Sequence, residues 1–233
     1  MSILILLMVV QAAALVTKGA DSNTYTLLHL DEGTGNAADI SANRTTCTLN
    51  GGAVWTVAGK ADKALDLDGS NDTCTIPNAA WNDWALDKTI SAWVKHDVVE
   101  ADTFMSKDTY NFHMGVSATD KPQTGTWSWW GDNCFYCQGT TSVGTGWRHM
   151  VMVLDPGIKQ QIYMDGVLEC TDTTVQTSCL LPGAETTLYV GRMPHPSGAA
   201  HWNGQVDEIH MWNRLLTAPE IEYLYRSGME AHQ

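Results

Sequence analysis

Turn punctuation constrains this chain more than any other feature. From Thr24 to Trp212, short β-prone runs are repeatedly cut by Gly, Asn, Asp and Pro clusters. Residues 25–30 read as a strand and 31–36 as a turn, with a second turn at 39–43. Residues 64–68 alternate Leu65 and Leu67 against Asp66 and Asp68, and Gly69-Ser70-Asn71-Asp72 reverses the chain into 73–76. The run at 89–94, TISAWV, is strongly β-prone, 150–154 ends at Asp155-Pro156-Gly157, and 161–168 contains the hairpin signal Asp165-Gly166. Residues 188–191 precede a Pro/Gly/Ser-rich loop at 194–200. Such a pattern predicts an antiparallel sandwich or barrel.

The chain closes differently. Residues 205–212 alternate with period two, placing Asp207, Ile209 and Met211 on one face and Val206, Glu208, His210 and Trp212 on the other. Thr217-Ala218-Pro219-Glu220 has the form of a reciprocal helix cap, and Ile221, Leu224 and Tyr225 form an apolar stripe with Gly228 as the expected stop. Asp207 thus enters on the core side. A buried carboxylate needs an Arg, backbone donors or a cation.

Charge and cysteine content narrow the function classes. Thirteen basic against 26 acidic residues give a net charge of -13, which disfavours nucleic acid and anionic membranes as partners. Six cysteines point to an oxidising compartment. Cys170 and Cys179 bracket a polar loop and form the preferred pair. Cys47 and Cys74, each in a Thr-Cys-Thr run, are placed to face one another. Cys134-Phe-Tyr-Cys137 has half-site spacing but no second CxxC, so a local disulfide or buried thiols are expected there. The apolar run at 3–16 is shorter than the roughly 20 residues of a membrane span. Residues 1–20 are expected to be either a signal peptide, with a small-residue exit at Ala12-Ala13-Ala14, or a retained arm that docks on a neighbouring subunit. Residues 21–228 form one domain and 229–233 a tail.

Several segments stand in a familiar order: LLHLDEGTGNAADISAN (27–43), ALDLDGSNDTCTIP (64–77), TISAWVK (89–95), GWRHMVMVLDPGIKQQIYMDGVL (146–168), LYVGR (188–192) and GQVDEIHMWNRLLTAPEIEYLY (204–225). Together they resemble the laminin-G-like jelly-roll domains of the concanavalin A-like lectin/glucanase superfamily, over roughly residues 24 to 226. The resemblance implies an all-β fold, a two-sheet antiparallel jelly-roll sandwich with a short C-terminal helix. It implies framework roles for Trp93, Trp147 and Trp212. It also implies a secreted or surface-displayed module that binds glycans or proteins, and family members occur on phage particles as well.

Four site expectations follow. The resemblance places a structural Ca2+ at Glu32, Asp39 and Asp207, between the first and last strands; the sequence itself supports only the need of Asp207 for a partner. A glycan-contact surface is expected from Trp127, Trp129, Trp130, Tyr136 and Trp202, because stiff aromatic faces pack on sugar C–H groups. His195 and His201 flank the 194–200 loop and read as solvent-facing, while His149 reads as framework. Glycosidases of this fold carry Glu-x-Asp-x-x-Glu on one strand, and no such string occurs here. The leading expectation is a non-catalytic binding module, extracellular or on a cell surface, with a glycan or cell-surface protein as partner. The alternative is a decoration or fibre protein of a virus particle, with homo-oligomer or subunit contacts; a glycoside hydrolase ranks last.

Overall fold

The computed structural model describes residues 20–77, 86–107, 112–127, 133–174, 187–194 and 200–230. Strands numbered in chain order form two large antiparallel sheets. The first runs β13 (Val167–Asp172), β12 (Lys159–Met164), β11 (Trp147–Asp155), β6 (Lys88–His96), β17 (Asn203–Trp212), β4 (Lys63–Asp68) and β3 (Val54–Ala61), with β1 (Thr24–Leu28) also pairing β17. The second runs β10 (Asn133–Gln138), β9 (Pro122–Trp127), β8 (Phe112–Val116), β7 (Asp102–Lys107), β14 (Thr187–Val190), β5 (Thr73–Pro77) and β2 (Thr48–Asn50). A ribbon of β15 (Arg192–Met193) and β16 (Ala200–His201) leads into β17, and helix α1 (Ala218–Glu230) ends the chain. This is the expected two-sheet jelly-roll sandwich with its short terminal helix. Residues 1–19, nearly all of the expected N-terminal segment, lie outside the described residues.

Alternation builds the core. Ile90, Ala92 and Val94 of β6, with Met150, Met152 and Leu154 of β11, share one buried cluster with Phe104, Met114, Leu188 and Val190 from the opposite sheet. Each of these side chains larger than alanine contributes about 1.5–3 kcal/mol on burial. The Asp165-Gly166 turn forms as expected, with both residues at positive φ. The Asp165 carboxylate accepts hydrogen bonds from the His149 N–H (3.0 Å) and from Arg148 (2.8 Å).

The facing of β17 differs from the sequence expectation. Asp207 pairs with Trp93 and His210 with Ser91, so three steps on β17 oppose two on β6. Glu208 takes up the extra residue as a bulge at φ 49°. A bulge moves every later side chain to the other face. Val206, Ile209 and Met211 therefore share the inter-sheet core, whereas Asp207 lies on the Trp93 side, away from Ile209 and Met211. Trp212 joins Val151, Val153, Tyr163, Leu216 and Ile221 in a second, smaller cluster beneath α1.

At the helix start, the Thr217 N–H and hydroxyl both donate to Glu220 Oε2, at 2.7 and 2.8 Å, so the carboxylate half of the expected cap forms. Gly228 does not stop the helix, which runs on to Glu230. A Cβ at this glycine would meet the Trp93 indole at 2.7–2.9 Å. Its role is close approach of helix to sheet, and the Trp93 ring stacks on Tyr225 with centroids 5.8 Å apart.

Cys47 and Cys74 are bonded, as expected. The Cys170–Cys179 and Cys134–Cys137 pairings are not formed, because Cys137 bonds Cys170. These two residues lie on β10 and β13, edge strands of opposite sheets, which the fold brings to a Cα separation of 5.7 Å. Sequence spacing favours local loops and carries no trace of that juxtaposition.

Candidate functional site

The three carboxylates expected to share a cation are individually committed to backbone. Asp39 is buried; its Oδ1 accepts from the N–H groups of Leu27 (3.0 Å) and Ser41 (2.8 Å), and its Oδ2 from Thr45 N–H (3.1 Å) and the Ser41 hydroxyl (2.9 Å). Glu32 Oε1 accepts from Ala38 N–H at 2.8 Å. Asp207 is fully buried; Oδ2 accepts from the N–H groups of Lys60 and Ala61, both at 2.8 Å, and Oδ1 from Glu208 N–H at 2.8 Å. Burial nonetheless pushes the Asp207 carboxyl up to about 8. The described residues contain no group of three or more His, Cys, Asp or Glu side chains arranged to hold a metal ion. Calcium needs six to eight oxygens with free lone pairs, and this donor set does not fit a shared ion. Glu32 and Asp39 instead shape the loop after β1, and Asp207 ties the bulge of β17 to the β3–β4 hairpin.

The histidines follow the same logic. His149 Nε2 lies 2.7 Å from the Ser91 hydroxyl, and burial lowers its pKa to about 3, which suits a framework residue. Burial lowers His113 to about 4 and His210 to about 3. His201 is half-buried in β16, its pKa lowered by burial and by Arg192, so it is less exposed than expected; His195 lies outside the described residues.

Of the expected aromatic surface, Trp129 and Trp130 lie outside the described residues. Trp127 ends β9, opposite Asn133 of β10. Trp202 has no place on an exposed surface: it is fully buried, stacked on His96 at 4.3 Å and edge-on to Phe104 at 5.5 Å. The short ribbon turns it inward, its backbone N–H donating to the Gly191 carbonyl at 3.0 Å. Phe135 is likewise in the core.

Among the described side chains of that expected set, Tyr136 does reach the surface. It lies on β10, 36% exposed, directly opposite Gly125 of β9. A Cβ at Gly125 would sit 3.3 Å from the Tyr136 ring, so the glycine lets the phenol lie down on the sheet. Gln123 and Gln138, a cross-strand pair two residues away, flank it on the same face. The Tyr136 hydroxyl lies 2.7 Å from Gln123 Oε1 and 2.6 Å from Gln138 Oε1. A phenol has one proton to donate, so one amide oxygen at a time is left for an outside donor. Gln138 Nε2 donates to Thr119 Oγ1 at 3.3 Å, which extends the polar rim. Burial raises the Tyr136 pKa, keeping the phenol neutral. Neither glutamine was signalled by the sequence alone; the Tyr-x-Gln spacing at 136 and 138 was the available clue.

The patch sits where the sandwich is stapled shut. Beside the Cys137–Cys170 bond, Tyr136 N–H donates to Asp172 Oδ2 (3.0 Å), and the N–H groups of Thr140 and Thr141 donate to Glu169 Oε2 (2.9 and 3.0 Å). These carboxylates of β13 cover N–H groups along and just beyond the edge strand β10.

Comparison with known proteins agrees with this architecture. Among solved structures, the binding domain of Paraclostridial Mosquitocidal Protein 1 aligns with a TM-score of 0.69 at 15% identity, over 88% of this chain and 52% of that one. The binding domain of botulinum neurotoxin DC aligns in complex with SialylT (TM-score 0.69, 12% identity, 89% and 52% coverage) and with rat synaptotagmin II (TM-score 0.70, 12% identity, 88% and 52% coverage). This chain spans about half the length of those domains, and at such identity the likeness is one of fold. No curated protein sequence matches. A family model described as the concanavalin A-like lectin/glucanases superfamily matches residues 68–222. The match covers well over half of the chain, which therefore belongs to the laminin-G-like branch of that superfamily.

Proposed function

We propose that the chain is a non-catalytic recognition module, acting outside the cell or on a surface, that binds a glycan through the β9–β10 end of the second sheet. The observation that carries the reading is Tyr136: a neutral aromatic ring laid against Gly125, rimmed by the Gln123 and Gln138 amides. An apolar ring face with adjacent amide donors and acceptors suits the alternating C–H and O–H surface of a sugar. In the sequence, Trp127, Trp129 and Trp130 stand within about ten residues of Tyr136. Structures of similar fold are binding domains, one of them in complex with SialylT, which supports a recognition role. Asp207, bonded by three backbone N–H groups and fully buried, is unsuited to act on a substrate.

The test is a glycan array probed with the wild-type chain and with Tyr136→Ala. Selective binding that is lost in the variant, with an unchanged melting temperature, supports the reading. An array without binding removes it.

A second reading, an architectural subunit of a particle, draws on edge strand β3, where Val57 is 85% exposed. Light scattering that shows a stable oligomer, dissociated by Val57→Lys, would favour it.

A further inference from the structure

The geometry points to a neutral saccharide, without sialic acid or sulfate, as the ligand class of the Tyr136 patch. This rests on the recognition reading above and adds a specificity to it. Three carboxylates bond the strands and loop around Tyr136. Asp172 Oδ2 is 3.0 Å from the Tyr136 nitrogen itself. Glu169 lies against Thr140 and Thr141, and Asp120 accepts from Gly144 N–H at 3.1 Å and from the Ser142 hydroxyl. Residues 117–144 carry one cation, Lys121, against Asp120 and Asp132. Arg148, which reaches the same loop, is already committed: it donates to Asp165 at 2.8 Å and to the Val143 carbonyl at 2.7 Å.

Nor do these carboxylates yield their charge easily. Burial acts to raise the pKa values of Asp172 and Glu169. Hydrogen bonds from Thr174 and Tyr136 to the first, and from Thr141 and Thr140 to the second, outweigh it and hold both below the usual carboxylate range. An anionic sugar at the Tyr136 ring would therefore meet fixed like charges on a chain of net charge -13. At about 7 Å in a water-like dielectric, one such repulsion weakens binding about threefold before screening. Hydroxyl groups carry no such penalty, and the free amide oxygen at Gln123 or Gln138 accepts from one.

The test uses matched pairs of galactose-terminated oligosaccharides, uncapped or capped with sialic acid, with dissociation constants measured at 50 and 300 mM NaCl. The expected result is at least threefold tighter binding of the uncapped member at 50 mM, a smaller gap at 300 mM, and a smaller gap in the double variant Asp172→Asn, Glu169→Gln. Equal or tighter binding of the capped member overturns the inference while leaving recognition standing. A neutral preference that neither salt nor the double variant alters overturns its electrostatic basis. Binding of neither member overturns the inference, and the glycan array then decides the recognition reading separately.

Discussion

Acid should unfold this protein through its buried imidazoles. His113, His149 and His210 are all buried, and burial lowers their pKa values to about 4, 3 and 3 from an ordinary 6.5. In each case the unfolded chain takes up the proton first. Their contribution to stability is therefore complete above pH 6.5 and is lost as pH falls from 6.5 towards 3–4. One proton is worth about 1.4 kcal/mol per pH unit, so at pH 5 each histidine costs about 2 kcal/mol and the three about 6 kcal/mol. Asp207 works in the opposite sense. Its folded pKa, about 8, lies above the ordinary 3.8, so the folded state holds the proton and stability rises as pH falls from 8 towards 4. Between pH 7.5 and 5 this returns about 3 kcal/mol. His29, raised by its bond to Glu208, has the same sign as Asp207 but is substantially exposed and adds little. The expected net loss from pH 7.5 to 5 is about 3 kcal/mol. Urea titrations followed by tryptophan fluorescence at pH 7.5, 6 and 5 measure it directly. His149→Gln, which keeps an acceptor for Ser91, isolates one component: its pH-dependent loss should be smaller by about 2 kcal/mol. An unchanged pH dependence in that variant would refute the assignment of acid sensitivity to buried neutral histidine.

Two further perturbations test the framework. Gly228→Ala places a methyl group against the Trp93 indole, with backbone on one side and the sheet on the other, and should cost about 1–3 kcal/mol despite the better helix propensity of alanine; a thermal melt at or above wild type would show that α1 does not lean on Trp93. Replacing Cys47 and Cys74 together by Ala opens a link across 27 residues and should cost about 3–4 kcal/mol in urea titrations, whereas an unaltered midpoint would mean that the reduced chain is equally constrained.

What the sequence could and could not reveal follows from the range over which each feature is decided. Period-two runs and the Asp165-Gly166 turn are local, so strands, hairpins and the all-β class could be read directly. The bulge at Glu208 is not local. QVDEIHMW alternates without interruption in one dimension, and only its register against Trp93 and Ser91 reveals the extra residue. That one residue decides whether Asp207 faces the inter-sheet core or the layer beneath the β3–β4 hairpin, and so whether its partner need be a cation at all. The Cys137–Cys170 bond and the Gln123–Tyr136–Gln138 rim are likewise products of pairing between strands distant or opposed in sequence. The Trp202 error has the same origin. Beside a Pro/Gly/Ser-rich loop an indole reads as surface, yet the Arg192–His201 pairing of the ribbon turns it onto His96. In a sandwich of this kind, composition and periodicity determine which residues are buried as a class. Register determines which individual aromatic side chain remains outside, and on β10 the ring that register leaves open is Tyr136, because Gly125 stands across from it.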